Sequence, residues 1–275
     1  MGLRIGTNSA SLTAQRYLRK SEAAVSHASR ALSSGTRLVD AGDDAASFAI
    51  SEGLRGQAKS LQAARQNADN AGGLIQVAEG GLSEQNNILV RLRELAVQAS
   101  SDTVGEDERG FLDTEFKSLV SEFDRIAQTT TYGHRALLTG SKDTLEFHLG
   151  ANNTENDVVS YKFDSNTSAK SVGIKGLEVS DKDNAKDALS TIDEAQTKVA
   201  TARASFGAIG ERLQIAGSNI DTQAENILSA ASSMSDTDVA AESANLANAR
   251  VQQEVSTAVL AQANQSNDRA LKLLA

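Results

Sequence analysis

From Leu54 to Ala96 an apolar residue returns at every seventh position: Leu54, Leu61, Ala68, Ile75, Leu82, Leu89 and Ala96. Three residues after each stand Gln57, Ala64, Ala71, Ala78, Gln85, Leu92 and Ala99, so five of these seven positions are apolar as well. Such a heptad seam is the pattern of a long helix packed along its length on other helices. No proline interrupts it. At 1.5 Å per residue the helix would run roughly 70 Å, too long to be covered inside a compact ball. It demands a partner of equal length.

The chain supplies one. Ile192, Val199, Phe206, Leu213, Ile220, Ile227 and Met234 also repeat at seven, with Ala195, Ala202, Ile209, Ala216, Gln223 and Ala230 three residues after the first six. Two matching seams predict side-by-side packing that brings the chain ends together. A further helix, with Leu112, Phe116, Leu119, Phe123 and Ile126 at alternating spacings of four and three, is expected to fold back on the first. The 275 residues hold no Pro, Cys or Trp and only 4% aromatic residues, so the seams are shallow and Ala-rich. The fold class read from this is mainly α, an elongated antiparallel coiled-coil-like helical bundle.

The ends differ from the middle. Residues 7–32 carry a thin stripe, Ala14, Leu18, Val25, Ala28 and Leu32, too little to hold a helix of that length without partners. A last helix beyond the Ser235–Asp238 link has the same poverty, with Val251, Val255, Ala258 and a Leu271-Lys272-Leu273-Leu274-Ala275 terminus. Asp43 and Asp44 stand where a cap for the next helix belongs. In the middle the period changes to two: Leu145, Phe147 and Leu149, then Val159, Tyr161 and Phe163, predict a β-hairpin. Val172, Ile174, Leu177 and Val179 suggest a further strand in a polar, Gly-punctuated tip. Gly72-Gly73 and Gly80-Gly81 are costly inside a helix and are expected to mark close helix approach or a bend.

A formal net charge of −9 argues against a duplex-binding protein, which needs a basic face. The first forty residues nevertheless carry six basic groups (Arg4, Arg16, Arg19, Lys20, Arg30, Arg37) against two acidic, and the last forty three against five, which reads either as solvated helix faces or as ends that attract each other or neighbouring copies. No run of eighteen apolar residues would span a bilayer, and the polar N-terminus has no cleavable-signal h-region. Composition alone therefore reads as cytosolic. His27, His134 and His148 are scattered and form no HExxH zinc motif, there is no Cys nucleophile, and Gly173 and Gly176, or Gly207 and Gly210, lack the Lys-Ser/Thr of a phosphate loop. No cofactor, metal or catalytic residue is expected.

Several stretches lie in a familiar order: Leu32-Ser33-Ser34-Gly35, Asp43-Asp44-Ala45-Ala46, Ala49-Ile50-Ser51, Ala78-Glu79-Gly80, Arg93-Glu94-Leu95-Ala96-Val97-Gln98 and Asp124-Arg125-Ile126. Gly207-Ala208-Ile209, Glu225-Asn226, Asp236-Thr237-Asp238 and Leu260-Ala261-Gln262-Ala263-Asn264 follow in the C-terminal part. With these the chain resembles bacterial flagellin across nearly its whole length. It departs at Thr36, usually a large apolar residue, at Gly210-Glu211-Arg212, and at the terminal Ala275.

The resemblance implies a structural subunit, not an enzyme, that polymerises into a filament for swimming motility. Residues 1–42 and 236–275 would be the two halves of an inner-core helical domain. Residues 43–186, with two long helices and the hairpin tip, and 187–235 would form an outer-tube domain. It also implies type III export without cleavage and an extracellular location, against the composition reading. The implied partners are further copies of the chain or other flagellins, an export chaperone, and hook-junction and cap proteins, with no nucleic acid and no membrane insertion. By the same resemblance Arg91, Leu95 and Glu115 match the contact for the vertebrate Toll-like flagellin receptor. The competing readings are a hook-filament junction protein of the same family and a coiled-coil signalling hairpin.

Overall fold

The computed structural model describes residues 8–141 and 143–274, the last nine of them by backbone alone. Arg4 and the side chains from Leu271 to Ala275 lie outside the described residues. The elements in chain order are α1 (Ser9–Ser34), α2 (Ala45–Ala99), α3 (Glu106–Thr129), β1 (Thr131–Tyr132), β2 (Arg135–Ala136), β3 (Thr144–His148), β4 (Val158–Lys162), α4 (Ala169–Val172), α5 (Lys182–Ser235) and α6 (Val239–Leu274). The fold is mainly α. The described helices do not include one long and apolar enough to cross a membrane. The chain divides into a terminal unit, up to Gln57 and from Asn226, and a central unit, Ala58–Glu225.

In the central unit α2 and α5 run antiparallel. Arg65 reaches Asp221 at 3.0 Å, Gly210 backs onto Ile75, Gly207 lies beside Glu79, and Arg93 reaches Asp193 at 2.9 Å. Positions thus rise on one helix at the pace they fall on the other. Between them Leu61, Ile75, Leu82, Leu89 and Leu92 are buried against Ile192, Val199, Phe206, Leu213 and Ile220. Each such side chain removed from water contributes about 1.5–3 kcal/mol. α3 folds back along α2, with Phe116 and Phe123 fully buried and Leu112 half-buried. Leu54 and Ile227, in the terminal unit, are half-buried.

The hairpin β3–β4 pairs Leu145 with Tyr161 and Phe147 with Val159, the faces its period-two alternation predicts. Tyr161, Phe163 and Phe206 then meet as an aromatic cluster with centroids 4.8–5.7 Å apart, joining the hairpin to α5.

Two sequence expectations require correction. Residues 169–179 are not a strand. They form the short α4 and two left-handed turns at Gly173 and Gly176, because those glycines reverse the chain where a strand must stay extended. Val172, Ile174 and Val179 are buried, and the segment is pinned by Asp113 on the Val179 N–H at 2.9 Å and Asp124 on the Ala169 N–H at 3.0 Å. The glycine pairs do not all mark close approach: a Cβ at Gly72, Gly73 or Gly80 would meet nothing within 4 Å, whereas one at Gly81 would fall 2.6 Å from Thr130 Oγ1.

Candidate functional site

The terminal unit is inverted relative to an ordinary core. α1 and α6 run antiparallel, with the Asn8 amide on the Ala263 carbonyl and the Ser11 hydroxyl on Asn264, both at 3.0 Å, near one end, and a Thr36–Asp236 bridge at the other. What they bury between them is small: Ser11, Ala14, Ser21, Ala28 and Ala31 on α1, Ala249 and Ala263 on α6. The seven-residue spacing of Ala14, Ser21 and Ala28 answers the fourteen of Ala249 and Ala263, so two smooth faces meet closely. The large side chains look outward: Leu12, Tyr17, Val239, Val251, Val255 and Val259 are each about half exposed or more. Leu18, Val25 and Leu32, the large members of the predicted stripe, are only half-buried.

The links are tied down by polar groups. Gly35 closes α1 in the left-handed conformation, and the Arg37 N–H and guanidinium hold the Ser235 and Met234 carbonyls at 2.7 and 2.8 Å. Asp44 caps α2 through the Ala46 and Ser47 N–H groups. Asp43 takes the Val39 and Asp40 N–H groups and meets His27 Nε2 at 3.1 Å. Both carboxyls are held below their ordinary range, Asp43 chiefly by the Asp40 N–H and Asp44 chiefly by the Ser47 hydroxyl.

Two further surfaces lie on the central unit. Arg91 donates to Glu115 at 2.8 Å and to Glu94 at 3.0 Å, which raises its pKa, Glu115 first and Glu94 second. Leu95 is buried, 1% exposed, while Val90 and Val97 flank the patch and are exposed. Between α2 and α5 runs a groove of about 600 Å³, lined by Gly72, Gly73, Gly207 and Gly210 with Gln76, Glu79, Glu211 and Gln214 around them. Sequence reasoning missed this groove. It missed the β1–β2 hairpin too, whose signal was Gly133 between Tyr132 and His134, at φ +62°.

Helical seams, a partner-dependent terminal unit and the linker motifs converge with the comparison to known proteins. Residues 5–143 match the model for the bacterial flagellin N-terminal helical region, and residues 189–274 that for its C-terminal helical region. This chain belongs to the bacterial flagellin family. It is 39% identical to a flagellin of Halalkalibacterium halodurans over 88% of this chain and 89% of that one. To a flagellar filament 33 kDa core protein of Treponema phagedenis it is 34% identical, covering 98% and 99%. Among solved structures, Bacillus cereus flagellin superposes at a TM-score of 0.51 with 28% identity, over 60% of this chain and 94% of that one. A putative flagellar hook-associated protein of Vibrio parahaemolyticus shares the fold at a TM-score of 0.59 and 12% identity, over 70% and 100%.

Proposed function

We propose that this flagellin is a structural subunit that polymerises into a filament outside the cell, and that its terminal unit drives the process. One observation carries the reading: the terminal unit buries its small residues within the subunit and leaves Leu12, Tyr17, Val251, Val255 and Val259 exposed. A row of valines at 251, 255 and 259 is one helix face, and contiguous exposed apolar surface on a helix is covered in the functional state. Neighbouring copies provide that cover. Concentrated protein with filament seeds, viewed by negative stain and sedimented, is expected to give long filaments. Short caps would favour a hook-junction role, and soluble hairpins a signalling one. Export chaperone, cap and junction partners belong to the same proposal and rest on family membership.

The Arg91–Glu115 pair supports a second use, recognition of the monomer by the Toll-like flagellin receptor. Arg91 and Glu115 are exposed and mutually oriented, whereas Leu95 is buried. An Arg guanidinium fixed by two carboxylates is a preorganised planar contact. In a receptor-reporter assay Arg91→Ala is expected to weaken activation. Unchanged activation by that variant would assign the pair to subunit packing alone.

A further inference from the structure

We propose that the glycine-lined groove between α2 and α5 receives the β1–β2 turn of a second copy of this chain, Tyr132-Gly133-His134-Arg135. The proposal rests on the reading that the chain polymerises, and it names which surfaces of the central unit meet.

The groove is open to the backbone for no reason internal to the subunit. Glycine inside a helix is unfavourable relative to alanine, yet a Cβ at Gly72 or Gly73 would touch nothing within 4 Å. At Gly207 and Gly210 it would make only ordinary contact, 3.6 Å from Glu79 Oε1 and 3.5 Å from Ile75. The chain's own packing therefore tolerates alanine at all four positions. Bare backbone on both walls of a cleft of about 600 Å³ lets an outside group approach closely.

Charge favours a basic occupant. Arg65 at one end of the groove is spent on Asp69 and Asp221. Glu79 and Glu211 line the groove and make no ion pair among the described residues, so its mouth is acidic. The β1–β2 turn is its complement. All four of its residues are exposed, and Arg135 makes no ion pair among the described residues. None of the four lines the groove of its own subunit, and Thr130 at the base of the turn packs on Gly81 instead. Groove and turn are different surfaces, so their contact is heterologous, the kind that propagates into an open helical polymer instead of closing a dimer.

The absence of cysteine gives the test a clean background. Gln76→Cys places a thiol in the groove and Tyr132→Cys one on the turn. The two single variants, copolymerised and treated with a short bismaleimide, are expected to give a covalent heterodimer in filaments and none in dilute monomer. Either variant polymerised alone is expected to give no dimer. Filaments that assemble without the heterodimer would overturn the proposal. As an independent arm, Arg135→Glu is expected to raise the concentration needed for assembly about tenfold, and adding Glu79→Arg with Glu211→Arg to the same chain is expected to restore it. Failure of the added reversals to restore assembly would also overturn it. If the unsubstituted protein forms no filaments at all, the polymerisation reading itself falls.

Discussion

At the scale of single residues, the central unit depends on a few groups that have no substitute. Phe206 is fully buried and meets both Tyr161 and Phe163, so Phe206→Ala removes a ring that joins α5 to the hairpin. Its expected cost is about 3–5 kcal/mol, read from urea unfolding of the full chain. Gln85 sits in the seam fully buried, its amide donating to the Phe123 and Thr167 carbonyls at 3.3 and 3.2 Å. Gln85→Glu exchanges that donor for a carboxyl facing two carbonyls. Burial raises the folded pKa of such a group, so the penalty is least below its unfolded value. Above that value it grows by about 1.4 kcal/mol for each pH unit until the raised folded value is reached. Unfolding of variant against parent at pH 4 and pH 7 checks it, and an equal difference at both would contradict it. The caps respond in the opposite sense. Asp44 has its pKa lowered below 3.8 in the folded state, so its contribution is present above 3.8 and is lost as pH falls through the lowered folded value. Amide exchange at Ala46 and Ser47 is expected to show acid fraying that Asp44→Asn, which still caps but does not titrate, largely removes.

At the scale of elements, α2 contains its own control experiment. Gly72→Ala and Gly73→Ala add a methyl into open space and improve helix propensity, so each is expected to stabilise the monomer by up to about 1 kcal/mol. Gly81→Ala drives a methyl against the Thr130 side chain, whose hydroxyl is already engaged with the Ile126 carbonyl, and is expected to destabilise by about 1–3 kcal/mol. Thermal unfolding of the three variants gives opposite signs if the packing is as described. The difference between these glycines also explains what a sequence can disclose. Heptad spacing made the seams of α2 and α5 readable, because Leu61, Ile75, Leu82, Val199 and Leu213 carry their burial in their period. The hairpin β3–β4 was readable for the same reason at period two. Residues 172–179 alternate like a strand, yet Gly173 and Gly176 turn the chain so that Asp113 and Asp124 on α3 can hold it, an arrangement set by a distant element. The strands β1 and β2 have two residues each, too few to show any period. The groove was illegible because it exists only where the register of two helices brings Gly72 and Gly73 on α2 and Gly207 and Gly210 on α5 to one cleft. Leu95 matched a contact motif, but only the packed structure reveals that it is buried.

At the scale of the whole chain, the ends pack on each other, and the middle draws its large buried side chains from its own range. The faces that α1 and α6 bury are made of Ser and Ala, which contribute little hydrophobic free energy when covered, so neither helix is held by a core of its own. Ordering the 26 residues of α1 costs roughly 1–2 kcal/mol per residue before helix hydrogen bonds offset part of it, and an unpartnered helix is marginal in water. Residues 58–225 keep Phe116, Phe123, Phe206 and the leucine seam, all contributed from within that range. Deleting residues 236–275 therefore removes more than α6. It uncovers Ser11, Ala14, Ser21 and Ala28, takes away the Thr36–Asp236 bridge, and leaves α1 to melt. The truncated chain is expected to remain a helical monomer in which amides of α1 exchange rapidly while those of Leu82, Leu89 and Phe206 stay protected. Circular dichroism is expected to register the loss of α1 in addition to α6. Without the valine face of α6, seeded sedimentation is expected to find no polymer. Protected α1 amides in the truncated monomer would show that α1 is stable without its partner, and normal filaments from it would remove the terminal unit from the assembly mechanism.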